Sequence, residues 1–153
     1  MLKTTESDEV PKALDHDSRD QGFTRPKVLI LTPFKKDAYD IIEMIVLMTN
    51  NGSWKKVSKR KKFKMDFCNE EDSFSDDFYI GISLKHSMKL QTAKLKLYEK
   101  FYDSDIIVGS PLALRILTGQ ESDANALKEQ KIDFDFLSSI EYLVLDSAEA
   151  FVF

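Results

Sequence analysis

Apolar residues in this chain gather into short unbroken runs between polar stretches. The first run, Val28-Leu29-Ile30-Leu31, has Pro26 before it and Thr32-Pro33 after it. Four apolar residues with breakers on both sides predict a strand buried on both faces, the type found in parallel sheets. From Lys36 to Met48 the pattern changes: Ala38, Ile41, Ile42, Ile45, Val46 and Met48 recur at steps of three and four, and Asn50-Asn51-Gly52 follows as a stop. That spacing predicts an amphipathic helix. Strand, tight turn and helix make the first half of a βαβ unit.

The same reading predicts strands at Phe78-Tyr79-Ile80-Gly81-Ile82, at Asp105-Ile106-Ile107-Val108-Gly109 and at Tyr142-Leu143-Val144-Leu145. A mixed helical stretch is expected from Thr92 to Tyr102, carrying Leu95, Leu97, Tyr98, Phe101 and Tyr102. Ser110-Pro111 opens a short helix through Leu117, with serine as N-cap and proline at the first helical position, and Gly119 ends it. Residues 120 to 131 read as a polar loop or loose helix. Residues 1 to 25 are polar, net acidic and without periodicity, so they bury too little apolar surface to offset ordering entropy and are expected to be a disordered lead. The domain then covers 26 to 153. Its last residues stop where a βα turn would begin another helix, so it is expected to be truncated there, with open strand edges that favour aggregation.

Charge complicates the middle of the chain. Lys55, Lys56, Lys59, Arg60, Lys61, Lys62 and Lys64 are followed by Glu70, Glu71, Asp72, Asp76 and Asp77. Blocks of one sign usually stay solvated, so residues 53 to 77 are expected to form a mobile surface insertion. A sharper possibility is a basic loop that contacts RNA, with Trp54 and Phe63 available for stacking, although the acidic block beside it weakens that idea.

The 153 residues suit one domain, and 42% hydrophobic with 31% charged residues is a globular composition. A net charge of -4 gives no global basic field, so any nucleic-acid contact must come from a local patch. Cys68, the single cysteine, excludes an internal disulfide and any multi-cysteine zinc site, and is expected to be an inert thiol in a reducing compartment. No signal-type apolar stretch or membrane span is present, so no membrane partner is expected. Gly22, Gly52, Gly81, Gly109 and Gly119 lack the spacing of a phosphate loop, and none precedes a lysine. His16 and His86 have no partners that suggest a triad or metal cluster. No catalytic residue, metal site or cofactor is therefore assigned.

What remains is an edge. Open α/β sheets bind ligands beyond the carboxyl ends of their strands, and three strands here end in distinctive turns. These are Pro33-Phe34-Lys35-Lys36-Asp37-Ala38, Ser110-Pro111-Leu112-Ala113 and Asp146-Ser147-Ala148-Glu149. In this order they resemble degenerate forms of P-T-R-E-L-A, T-P-G-R and D-E-A-D, the strand-end motifs of the first RecA-like domain of DEAD-box RNA helicases. The run from Phe101 to Arg115, the segment Asp135-Phe136-Leu137-Ser138-Ser139-Ile140-Glu141 and the terminal Asp-Ser-Ala-Glu further resemble the digestive-organ expansion factor family.

The resemblance covers residues 27 to 153 and implies an α/β fold, a RecA-like parallel sheet with flanking helices forming part of a first helicase domain. It also implies a nucleolar, DEAD-box-like protein of the small-subunit processome that works with pre-ribosomal RNA, U3 small nucleolar RNA and processome proteins. In an active helicase the residue after the motif's aspartate is a glutamate that activates water, a task that needs a carboxylate. Ser147 stands there, so a non-catalytic module is expected. RNA phosphates would meet Pro33, Lys35, Ser110, Pro111 and Arg115, through backbone N–H groups of the first two turns and the basic side chains. Lys35 keeps the charge of the motif's arginine but not its fork. The rivals are a divergent ATP-dependent RNA helicase and a scaffold that contacts proteins alone.

Overall fold

The computed structural model describes residues 24–87, 92–119 and 134–151. They build one mixed sheet of six strands, β1 (Val28–Leu31), β2 (Val57–Ser58), β3 (Tyr79–Ser87), β4 (Thr92–Leu97), β5 (Ile106–Gly109) and β6 (Tyr142–Leu145), in the spatial order β2-β4-β3-β5-β1-β6. Three helices accompany it, α1 (Lys35–Asn50), α2 (Arg60–Phe67) and α3 (Pro111–Leu117). The α/β class holds, but the sheet is not wholly parallel. β5, β1 and β6 run parallel, while β3 is antiparallel to both β5 and β4. Only four residues separate β3 from β4, too few for a parallel crossover, so a hairpin is forced.

β1, β5, β6 and α3 lie within a residue of their expected bounds, and α1 extends one residue earlier and two later than its pattern predicts. Asn51 supplies the left-handed cap of α1 at φ 50. β4 corrects the helix expected from Thr92: Ala93, Leu95 and Leu97 are buried while Lys94 is exposed, which is the period of two of a strand. Phe101–Asp103 form only a 3-10 turn. Residues 1–23 and 120–133, where a disordered lead and a polar loop are expected, lie outside the described residues. Thr24 and Arg25 are already anchored. Thr24 N donates to Ser139 Oγ at 2.6 Å, and Arg25 makes a two-pronged contact with Asp105 at 2.8 and 3.0 Å.

The mobile insertion expected at 53 to 77 is corrected more strongly. Its basic half folds into β2 and α2, and α2 buries Phe63 and Phe67, spaced i and i+4 on one face. Phe63 stacks with Tyr39 of α1, with Trp54 and with Phe67 at centroid distances of 5.5, 5.7 and 4.8 Å. It belongs to the same core as Ile42, Val46, Ile80, Ile82, Leu95 and Leu97. Phe63 is thus unavailable for stacking on RNA bases. A smaller core under the other face joins Leu29, Ile107 and Phe136.

Asp66 links α2 to the residue that follows β4, accepting from Lys62 Nζ at 2.6 Å and from the Tyr98 hydroxyl at 2.7 Å. These hydrogen bonds hold its carboxyl below the ordinary carboxylate range. A depressed native pKa adds stability that is present above the unfolded value and is lost as pH falls through the native one. Asp66→Asn is therefore expected to lower the thermal midpoint at pH 7, with the gap to wild type closing as pH falls below about 3.8, as thermal melts at several pH values can check.

Candidate nucleic-acid interface at the strand ends

Neighbouring positions of β5, β1 and β6 bring the three distinctive turns side by side. Leu31 is in register with Gly109 on one side and Leu145 on the other. Thr32 N donates to Gly109 O at 3.1 Å and Asp146 N to Leu31 O at 2.9 Å, so Thr32, Ser110 and Asp146 begin three adjacent turns. The three turns read from the sequence thus form a spatial row, with the first between the second and the third.

The row is more closed than an RNA-contacting edge needs to be. Pro33 and Ser110 are buried. Ser110 Oγ accepts from Ala113 N at 3.0 Å, which is the N-cap of α3, and Ser110 N donates to Phe78 O at 3.0 Å, so its backbone donor is already used. Pro111 is half-buried at the first position of that helix. Arg115 is exposed, one turn further along α3.

At the first turn, Phe34 precedes α1 and gives no side-chain cap. The capping comes from far along the chain, where Lys35 N donates to Ser75 O at 3.1 Å and Lys36 N to Ser73 O at 3.0 Å. Phe74 packs edge-on against Phe34 at 5.7 Å, and Asp72 Oδ2 lies 4.0 Å from Lys35 Nζ. The acidic half of the charged stretch therefore lies across the start of α1, with two carbonyls on the N–H groups and a carboxylate beside the ammonium expected to meet RNA. Lys35 keeps only 18% of its side chain exposed.

At the third turn, Thr32 is fully buried and its hydroxyl donates to Asp146 Oδ2 at 3.4 Å. Burial first, then the charges of Asp146 and Asp40, hold the Asp37 carboxyl above the ordinary range, while Thr32 and Lys36 oppose the shift. Ser147 is half-buried with a left-handed backbone at φ 53, and Ala148 and Glu149 are exposed in the closing 3-10 turn. Asp146 thus faces Thr32 and Asp37, and the residue after it carries a hydroxyl. No group of three or more metal-binding side chains occurs among the described residues. Thr32 and Asp37 were not singled out by sequence, although an aspartate in the first turn of a helix is a readable signal.

Comparison with known proteins matches residues 1–153 to the family model described as UTP25, NTP hydrolase-like domain. A Xenopus tropicalis protein named U3 small nucleolar RNA-associated protein 25 homolog is 38% identical over 95% of this chain and 20% of its own length. Its Homo sapiens counterpart is 36% identical over 90% of this chain and 19% of its own. U3 small nucleolar RNA-associated protein 25 of Schizosaccharomyces pombe is 38% identical over 88% and 21%. The chain spans about a fifth of the length of these relatives. No solved structure matches.

Proposed function

The chain belongs to the UTP25 NTP hydrolase-like domain family, and on that premise we propose that it is a RecA-like module without ATP-hydrolysing chemistry, acting in assembly of the small ribosomal subunit. The family bears out the resemblance read from the strand-end motifs, and the relatives' names support work with U3 small nucleolar RNA in the nucleolus of the nucleus. Pre-ribosomal RNA and processome proteins are the proposed partners.

One observation carries the non-catalytic reading. Asp146 has the strand-end position of a helicase motif, but Ser147 follows it, and a serine hydroxyl is no general base for water at neutral pH. In cells depleted of their own full-length protein, an Asp146→Ala form is expected to restore small-subunit rRNA maturation to the wild-type level. Stable accumulation of that form with no rescue would instead favour a divergent ATP-dependent RNA helicase.

At the strand ends Lys35 and Arg115 are the charged groups proposed to meet phosphate, framed by Pro33, Ser110 and Pro111. The carbonyls of Ser73 and Ser75 on α1 favour a second reading of this row as a protein contact. RNA adducts at Lys35 in crosslinked full-length protein would exclude that reading.

A further inference from the structure

Far across the sheet from the strand ends, the β2 edge concentrates positive charge in a chain whose net charge is -4. Lys55, Arg60 and Lys61 are exposed there and have no ion pair among the described residues. In the acidic run that follows in sequence, Asp72 lies beside Lys35 at the start of α1.

The positive charge continues onto the sheet face opposite α1. Leu84 pairs with Leu95 toward the core, so their neighbours Lys85 and Lys94 pair directly on the other face. Both are exposed and have no ion pair among the described residues. Lys96 shares that face. Glu99 joins the two groups, with Oε1 3.7 Å from Lys59 and Oε2 3.9 Å from Lys96.

Two features of this edge oppose stability. Like charges directly opposite in an antiparallel pair destabilise it, as Lys85 and Lys94 do. Cations in the first turn of a helix oppose the macrodipole, yet α2 begins Arg60-Lys61-Lys62 with no acidic residue in that turn. Asp66 offsets Lys62, whereas Arg60, Lys61 and the Lys85–Lys94 pair break these local rules without an ion pair among the described residues, the mark of a surface kept for binding.

We propose that this edge, from Lys55 and the start of α2 around to Lys85 and Lys94, binds the phosphodiester backbone of RNA. Lysines spread over a helix and two strands give charge contacts along a backbone without reading bases. Its Lys85 and Lys94 part lies away from the strand ends, while α2 follows the carboxyl end of β2 at the far edge of the sheet. β3 and β4 form a hairpin with β4 parallel to β1, so Lys85 and Lys94 lie toward the amino ends of the parallel strands. The choice of RNA over another polyanion rests on the assembly role proposed above.

The test uses full-length protein and a fluorescently labelled, mixed-sequence RNA, with polyglutamate as a competing acidic polypeptide. Joint replacement of Lys55, Arg60, Lys61, Lys85 and Lys94 by glutamate is expected to weaken RNA binding by about 10-fold to 100-fold. The slope of log affinity against log salt should shrink by about 3, on the basis of roughly 0.7 per phosphate contact. The corresponding glutamine replacements, milder toward folding, are expected to give the same slope change, and a melting midpoint no lower than that of the wild type shows that the fold is intact. RNA binding equal to wild type in the folded variants would overturn the edge while leaving an RNA-associated role in place. Absence of RNA binding by the wild type would overturn both, and capture by polyglutamate in preference to RNA would overturn RNA as the occupant.

Discussion

Phe63→Ala is expected to destabilise the protein by about 3–5 kcal/mol, the range for removing a buried aromatic side chain from a packed core. Phe63 is fully buried between Tyr39 and Trp54 and against Phe67, so its removal leaves three rings without a common partner. Neighbouring Lys61 is exposed, and Lys61→Ala is expected to stay within about 0.5 kcal/mol of wild type. Denaturant unfolding followed by tryptophan fluorescence measures both, since Trp54 is the only tryptophan and touches the altered site. Equal stability of the two variants would mean that α2 is the loose insertion its charge suggests.

Gly81→Ala is expected to cost about 3 kcal/mol, the upper range for forcing an extra methyl group into a packed site. An added Cβ would overlap Ser104 Oγ and lie 2.5 Å from the Glu99 carbonyl oxygen. Neither neighbour yields easily, because Ser104 Oγ donates to Lys100 O at 2.9 Å and Glu99 N donates to Gly81 O at 3.1 Å. Ser104→Ala in the same chain should recover only part of the loss, because the Glu99 carbonyl remains. Thermal melts of the two single variants and the double variant separate these contributions. Full recovery in the double variant would show that the hydroxyl alone crowds Gly81.

The sequence states the parallel half of the sheet clearly. β1, β5 and β6 are apolar runs between breakers, and the serine-proline start of α3 is a local cap, so neighbours in sequence carry enough information. Legibility fails where structure depends on distant partners. The lysines around Phe63 hid an amphipathic helix whose buried face has only two residues. In β4 the alternation of Ala93, Leu95 and Leu97 was outweighed by the aromatics that follow, which lie in a separate turn. β6 has the composition of a strand buried on both faces, but all four of its residues are 45–64% exposed at the sheet edge.

The candidate site divides in the same way. The order of its three turns along the chain and the serine that follows Asp146 can be read directly. The closure of the first turn cannot, because Ser73 and Ser75 reach Lys35 and Lys36 through backbone carbonyls that no side-chain pattern encodes. That closure moves the emphasis for RNA contact from the strand ends to the basic edge at β2.

ATP turnover by the full-length protein, with and without RNA, tests the loss of chemistry most directly. Hydrolysis at the background rate in both conditions, unchanged by Ser147→Ala, is expected. RNA-stimulated turnover that Ser147→Ala abolishes would contradict it.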